Sequence, residues 1–129
     1  TRRSSDLIGV RAALPDTQIV AVCGDGSFQM SLMELATMRQ WNLPIKFVIM
    51  RNGYLGLVRE YQHHTYHDRY SGVSLDGSPD FEKIADAYGL DYFHLEHNDE
   101  MEQRIDEFLA CEHAAMMVCE VYSFDLVKE

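Results

Sequence analysis

The alternation of apolar runs with segments of helical periodicity constrains the fold of this chain most strongly. Gln18–Cys23 and Ile45–Met50 are short, largely apolar runs rich in β-branched residues, which predicts strands buried on both faces. Asp91–Leu95 and Ala115–Val121 are two further predicted strands. Because helical segments separate the four strands, we predict an α/β fold built on a parallel sheet.

The segment between the first two strands carries a helix signal. Ser31 and Glu34 have the spacing of a capping box, which predicts a helix that begins at Ser31 and runs to about Trp41. Three methionines near this helix have helical spacing, and we predict that they pack in the core rather than bind a soft metal. The first of them is also a candidate cofactor contact because it follows a glycine-rich turn. They are Met30, Met33 and Met38.

The polar and aromatic stretch Arg51–Asp76 is long for a connection between elements. We predict a short helix near Leu55–Tyr61 followed by an irregular loop, which in a compact domain is usually functional. Three histidines in this stretch suggest a metal site, but no carboxylate or cysteine stands at ligand spacing, and a polar lid is the favoured interpretation. They are His63, His64 and His67.

Two more helices are predicted in the second half of the chain. Ser78-Pro79-Asp80 places a proline at the first helical position, and Gly89 ends the helix that follows. Asp99–Cys111 has helical periodicity, with Met101 and Leu109 among its predicted inward residues. Its acidic residues predict a solvated face. They are Glu100, Glu102, Asp106 and Glu107.

Charge and cysteine content narrow the classes of partner. Eleven basic and 21 acidic residues give a net charge of −10, which disfavours nucleic acid and anionic lipid as partners. No stretch approaches the roughly 20 apolar residues that cross a bilayer. Cys23, Cys111 and Cys119 are an odd number without a short metal-type spacing, which favours reduced thiols and a cytoplasmic protein.

Two turns carry the residues with the clearest chemistry. Gly24-Asp25-Gly26 follows the first strand and Asn52 follows the second, so both lie at the carboxyl edge of a parallel sheet, where ligands bind. The glycines let the backbone approach a phosphate closely. A lone carboxylate would repel that phosphate, and a Mg²⁺ ion between them removes the conflict. Either turn alone is weak evidence of a site, and their conjunction predicts one.

The spacing of these two turns resembles the signature of the thiamine-diphosphate enzymes. The segments GDGSFQMSLMELATMRQWNLPIKFVI, YLGLVREYQ and RYSGVSLDGSPDFEKIADAYG are similar to the catalytic subunits of the acetolactate (acetohydroxyacid) synthases. The resemblance runs from about Ile8 to Val121. It implies a three-layer thiamine-diphosphate-binding fold, mostly a parallel sheet with helices on both faces.

The resemblance assigns roles to individual residues of both turns. It implies three Mg²⁺ ligands, namely the carboxylate of Asp25, the side chain of Asn52 and the main-chain carbonyl of Tyr54. It also implies that five residues contact the diphosphate or close over it. They are Gly24, Gly26, Ser27, Leu55 and Gly56.

Two positions depart from the family pattern. Arg51 stands where the family usually has the first Asn of a pair, and we expect metal binding to survive because that Asn is not a ligand. Tyr61 stands where many acetolactate synthases have a Trp at the substrate pocket. The choice between pyruvate and 2-oxobutyrate as second substrate therefore stays open.

The activity implied by the resemblance is decarboxylation of pyruvate and condensation with a second 2-oxo acid, in branched-chain amino-acid biosynthesis. The family's activating Glu lies in a pyrimidine-binding domain supplied by a partner subunit, which implies a homo-oligomer. FAD is expected in the middle domain of full-length acetolactate synthases and not in this chain. We therefore expect residues 1–129 to be one cofactor-binding domain, truncated at its amino terminus, from a longer enzyme and inactive alone.

Two alternative functions stay open at this point. The first is another thiamine-diphosphate 2-oxo-acid decarboxylase or lyase, or the smaller subunit of such an enzyme. The second is a non-catalytic α/β module that binds Mg²⁺ or phosphate, such as a receiver-like domain. That module needs an acidic cluster and a phospho-acceptor Asp, which Asp25 between two glycines fits poorly.

Overall fold

A computed structural model describes the backbone of residues 4–122 and the side chains of residues 6–122. Strands and helices alternate along the chain, as the apolar pattern predicts. Their bounds, in chain order, are α1 Ser4–Ala13, β1 Ile19–Gly24, α2 Asp25–Gln29, α3 Glu34–Gln40, β2 Ile45–Arg51, α4 Gly56–Tyr66, α5 Phe81–Tyr88, β3 Asp91–Leu95, a 3₁₀ turn Asn98–Glu100, α6 Met101–Ala110 and β4 Ala115–Glu120.

The four strands form one parallel sheet in the order β1-β2-β4-β3. β1 and β2 are neighbours in register, with Gly24 beside Met50 at their carboxyl ends. At the opposite edge of the sheet, Asp91 of β3 lies beside Ala115 of β4. The prediction of a parallel α/β sheet is confirmed, and the turns that follow β1 and β2 are adjacent in space.

Alternate residues of β2 face two separate apolar cores. Phe47 and Ile49 point to the larger core, which receives side chains from α1, α3 and α5. Val48 points to the other side, where it packs with Phe108 of α6. Helices therefore cover both faces of the sheet, as predicted. Phe108 is only 1% exposed, so it is the central apolar residue of the smaller core.

The smaller core leaves part of its sheet face uncovered. Val22 of β1 is 69% exposed, and Val20 and Met50 are also exposed. The prediction that Met101 and Leu109 point inward is wrong, because both are exposed at the margin of this face. α6 packs over β3 and β4 and does not extend across β1. No helix within residues 4–122 is long and apolar enough to cross a membrane.

The capping box predicted at Ser31 and Glu34 is not formed. A short helix already begins at Asp25, and helical turns continue from it into α3. The N–H of Glu34 donates to the Ser31 carbonyl, and the N-cap residue Met33 makes no side-chain capping bond. The amide groups that a cap would satisfy are therefore bonded to the preceding backbone. Met30 and Met33 are exposed, so core packing holds only for Met38.

The helix after β2 is longer than predicted, since α4 runs to Tyr66. His63 and His64 are therefore helical, and only His67, which ends the helix with φ 51°, begins the irregular segment. Pro79 precedes the cap of α5 instead of occupying its first turn, because the side chain of Asp80 caps the helix. The acidic residues of α6 are exposed, as predicted.

Candidate functional site

The turns that follow β1 and β2 enclose a cleft of about 410 Å³, which we call the carboxyl-end cleft. Its lining includes every residue that the sequence predicts for the metal and diphosphate site. These are Gly24, Asp25, Gly26, Ser27, Asn52, Tyr54, Leu55 and Gly56. Because the two turns follow neighbouring parallel strands, residues far apart in sequence meet at one edge of the sheet.

Asp25 joins the two turns from a buried position. Its side chain is 1% exposed, and its two carboxylate oxygens accept hydrogen bonds from the N–H of Gly26 at 2.9 Å and of Gly53 at 2.8 Å. None of the ion pairs formed within residues 6–122 includes Asp25. A buried carboxylate without a cationic side chain favours a metal ion as its partner.

The second turn presents oxygen atoms near Asp25. The Asn52 side-chain oxygen accepts a hydrogen bond from the N–H of Tyr54 at 2.9 Å, which orients the amide. Gly53 has φ +73°, a left-handed conformation that favours glycine. Tyr54 pairs with Ser74 in an isolated bridge whose hydrogen bonds use neighbouring backbone groups and not the Tyr54 carbonyl. Carboxylate, amide and carbonyl oxygens are the hard donors that suit Mg²⁺.

Two glycines leave room inside the cleft where a larger residue would fill it. A Cβ atom at Gly26 would lie 2.8 Å from Leu55 Cδ2 and 3.3 Å from Leu75 Cδ1. A Cβ atom at Gly56 would lie 3.3 Å from the Asn52 side-chain nitrogen. The close approach of the two turns therefore depends on these glycines.

Cys23 lies just before the first turn and is a neutral thiol at physiological pH. Burial, followed by the negative charge of Asp25, raises the pKa of Cys23 to about 11. A protonated thiol is a poor nucleophile and a poor metal ligand. Together with the reduced state of all three cysteines, this places Cys23 among packing residues and not among reacting groups.

The two departures from the family pattern both lie outside the cleft lining. Arg51 forms an ion pair with Glu120 at 3.2 Å and lies over the ring of Phe81. Tyr61 is 58% exposed on α4, and its ring contacts that of Tyr66. Met30, by contrast, lines the cleft and is 74% exposed, and its contact with a cofactor stays a prediction.

Sequence reasoning missed Arg59 as a structural residue of the site. It is 6% exposed, and its guanidinium group lies 4.4 Å from the centre of the Tyr54 ring and 5.2 Å from that of Tyr70. Cation–π contacts of this kind fix the orientation of both partners. Arg59 therefore connects α4 to the turn that carries Tyr54. The sequence gave no signal of this contact, because Arg59 and Tyr70 are eleven residues apart.

The histidines of α4 take part in hydrogen bonding and do not form a three-histidine site. His63 Nδ1 lies 2.5 Å from the Asp68 carboxylate, which also accepts a hydrogen bond from the Tyr70 hydroxyl at 2.6 Å. The expectation that no carboxylate accompanies these histidines is therefore wrong. Hydrogen bonds from Tyr70 and then His63 hold the pKa of Asp68 below its ordinary value of 3.8. This network orders the start of the irregular segment after α4.

Comparison with known proteins agrees with this geometry. Residues 5–121 match the family described as thiamine pyrophosphate enzyme, C-terminal TPP binding domain. An acetolactate synthase of Arthrospira platensis is 38% identical over 115 residues, which cover 88% of this chain and 20% of that protein. The acetolactate synthase large subunit of Porphyra purpurea is 36% identical over 115 residues, with the same coverage of both chains.

A third relative is the acetolactate synthase isozyme 3 large subunit of Escherichia coli. It is 40% identical over 102 residues, which cover 79% of this chain and 18% of that protein. The chain therefore spans about a fifth of the length of the curated relatives that it matches.

Proposed function

Because the chain belongs to the thiamine pyrophosphate enzymes, through their C-terminal cofactor-binding domain, we propose that the carboxyl-end cleft binds the diphosphate of thiamine diphosphate together with Mg²⁺. The observation that carries the proposal is the buried Asp25 carboxylate, which no cationic side chain of residues 6–122 neutralises. A divalent cation held by Asp25 would offset the repulsion between this carboxylate and a diphosphate.

Each residue of the cleft has a role in this proposal. Asp25, the Asn52 side-chain oxygen and the Tyr54 carbonyl hold the metal. Backbone or hydroxyl groups of three residues contact the diphosphate, and two residues of the following turn close over it. The contacts are Gly24, Gly26 and Ser27, and the closing residues are Leu55 and Gly56. The hydrogen bonds of Asp25 to both turns keep these groups in place before a ligand arrives.

We further propose that the chain contributes this site to an acetolactate synthase, as the names of its relatives suggest. When bound, thiamine diphosphate supplies the electron sink needed to decarboxylate a 2-oxo acid such as pyruvate and to condense the product with a second 2-oxo acid. That activity belongs to branched-chain amino-acid biosynthesis. The residues of the carboxyl-end cleft would position the diphosphate end and hold the Mg²⁺ ion that offsets part of its charge.

The remaining parts of the proposal concern partners and location. We propose a homo-oligomer in which the pyrimidine-binding domain of a partner subunit completes the site. Several relatives are named large subunits, which supports assembly. We also propose a cytoplasmic location, supported by the three free thiols. FAD is assigned to other parts of a full-length enzyme and not to the described residues.

The alternative of a receiver-like module is not favoured. Asp25 is the only acidic residue among the described residues that line the cleft, whereas a phospho-acceptor site needs an acidic cluster. The relatives do not favour another thiamine-diphosphate decarboxylase or lyase either, because the Arthrospira, Porphyra and Escherichia proteins are all named acetolactate synthases.

Calorimetric titration of the full 129-residue chain with inorganic diphosphate, with and without Mg²⁺, tests the proposed function. We expect diphosphate binding to depend on Mg²⁺. Asp25→Asn should weaken the affinity at least about tenfold, because losing a metal ligand should cost more than losing a residue that only hydrogen-bonds to a ligand. Asp99→Asn, at an exposed acidic position away from the cleft, is the matched control and should leave binding unchanged.

Thiamine diphosphate is the second probe in the same titration. Binding of either probe without Mg²⁺, or unchanged binding in Asp25→Asn, contradicts the proposed metal site.

A further inference from the structure

A second cluster of metal-ligating side chains lies at the amino ends of β3 and β4, on the edge of the sheet opposite the carboxyl-end cleft. Asp91 is the first residue of β3, Cys111 follows α6, and His113 stands two residues before β4. One ligand atom from each of the three lies within 4.8 Å of the others, the only such group among residues 6–122. This amino-end cluster therefore offers sulfur, nitrogen and oxygen donors at one point.

The distances between donor atoms in the amino-end cluster are already close to the distances between ligand atoms around one metal ion. Cys111 Sγ lies 3.0 Å from Asp91 Oδ2, and His113 Nδ1 lies 3.4 Å from the same oxygen. Metal–ligand bonds of about 2.0 to 2.3 Å at tetrahedral angles separate neighbouring donors by roughly 3.3 to 3.5 Å. Small side-chain rotations would therefore bring all three donors onto one ion.

Regular structure flanks the backbone that carries these donors, since Asp91 begins β3 and the short connection 111–114 joins α6 to β4. The N–H of Asp91 donates to the Ala114 carbonyl at 2.9 Å, which ties the start of β3 to the residue just after His113. The N–H of Cys111 donates to the Glu107 carbonyl at 3.1 Å and ends α6. A site built on element ends needs little ordering when an ion binds.

We propose that Asp91, Cys111 and His113 bind a divalent transition metal of the zinc class. Thiolate, imidazole and carboxylate are the ligands that zinc takes in proteins, and three protein ligands leave one position for water or a small ligand. Binding releases the Cys111 proton to solvent, since the thiolate is the ligand. The two anionic donors then match the charge of the ion.

A cleft of about 430 Å³ adjoins the amino-end cluster. Asp91 and His113 line this cleft together with Arg39 and Asn42. A small anionic ligand on the metal would find the Arg39 guanidinium group within the same cleft. The proposed site is independent of the thiamine-diphosphate proposal, because its residues lie on the other edge of the sheet.

Titration of the reduced, metal-free 129-residue chain with Co²⁺ and then Zn²⁺ tests the proposal. We expect one Co²⁺ per chain with a thiolate-to-cobalt charge-transfer band, which Zn²⁺ abolishes and excess Mg²⁺ does not. Cys111→Ser should remove the band. His113→Gln and Asp91→Asn should each weaken the affinity for Co²⁺ by more than roughly tenfold, which is the loss expected when a residue that only hydrogen-bonds to a metal ligand is replaced.

Two variants are matched controls, because they remove a thiol and an imidazole outside the cluster. Cys119→Ala and His97→Gln should leave the band and the stoichiometry unchanged. Circular dichroism of each variant establishes that it is folded. No band in the native chain, or a band that persists in Cys111→Ser, would overturn the proposal.

Discussion

At the scale of the residue, two aspartates on opposite edges of the sheet show how surroundings determine chemistry. Asp25 is buried and accepts two backbone hydrogen bonds, so its negative charge is held in one fixed position. Asp91 is half exposed and contacts a thiol and an imidazole. The first arrangement suits a hard cation shared with phosphate, and the second suits a zinc-class ion.

A single methyl group added at Gly26 tests the close packing of the carboxyl-end cleft. In Gly26→Ala the new Cβ would lie 2.8 Å from Leu55 Cδ2, so that the Leu55 side chain must shift. We expect a loss of about 1 kcal/mol in the free energy of unfolding, because the cost of overpacking exceeds the gain in helix propensity. Diphosphate binding should weaken as well.

Urea unfolding measures the stability change in Gly26→Ala, with Gly77→Ala as the control because a Cβ there meets nothing within 4 Å. The double variant Gly26→Ala/Leu55→Ala should show non-additive stability, since removing the Leu55 side chain also removes the clash. Strict additivity would refute the assigned contact.

At the scale of the element, the strands could be predicted from sequence and the helix details could not. A continuous apolar run encodes a strand buried on both faces, and each predicted strand agrees with the structure within one residue at every bound. The predicted helix start at Ser31 is wrong because the backbone turn that begins at Asp25 replaces a side-chain cap. Local patterns do not show whether an earlier turn will already satisfy an amide group.

The two turns of the cofactor site were predictable because each follows a recognisable strand and the residues match a family signature. Arg59 and the amino-end cluster were not predictable, since their contacts depend on how the backbone folds between the residues and not on a local pattern. Asp91 and Cys111 are 20 residues apart and meet only because β3 and β4 are neighbours. A comparison of the cysteines only with one another leaves out His113, which lies two residues from Cys111.

The network after α4 yields a prediction on pH. The pKa of Asp68 is lowered by Tyr70 and His63, so its stabilising contacts are present above its unfolded pKa of about 3.8 and are lost as pH falls through the lower folded value. The same hydrogen bond from Tyr70 to Asp68 raises the pKa of Tyr70. Asp68→Asn should therefore bring the pKa of Tyr70 back toward 10.0.

NMR titration of the tyrosine ring carbons measures that change, with Asp16→Asn as a control at an exposed position far from the network in sequence. Hydrogen exchange at residues 67–72 should also accelerate in Asp68→Asn. An unchanged Tyr70 titration would show that the network does not form in solution.

At the scale of the whole molecule, our proposal gives the described residues one half of a reaction centre. The cleft gathers the groups that hold a metal and a diphosphate in our proposal, and Asp25 is its only carboxylate among the described lining residues. That carboxylate is committed to two backbone hydrogen bonds and, in our proposal, to the metal. No second carboxylate in the described lining is placed to exchange a proton with the cofactor.

We therefore predict that the 129-residue chain does not form acetolactate from pyruvate when supplied with thiamine diphosphate and Mg²⁺. A colorimetric assay for acetolactate checks this, with the Escherichia coli isozyme as a positive control. Binding of the cofactor should still be measurable by calorimetry in the same samples. Turnover by the chain alone would require a proton acceptor outside the carboxyl-end cleft.

The hydrogen bond from the Gly53 N–H to the Asp25 carboxylate affects the entropy change on ligand binding. Since the carboxylate already spans both turns in the folded chain, the entropy of ordering the two loops is lost during folding and not during binding. Association should then show a small conformational penalty and little rearrangement of the backbone. In our proposal, the metal and its anionic ligand thus meet a receptor that is already shaped before they bind.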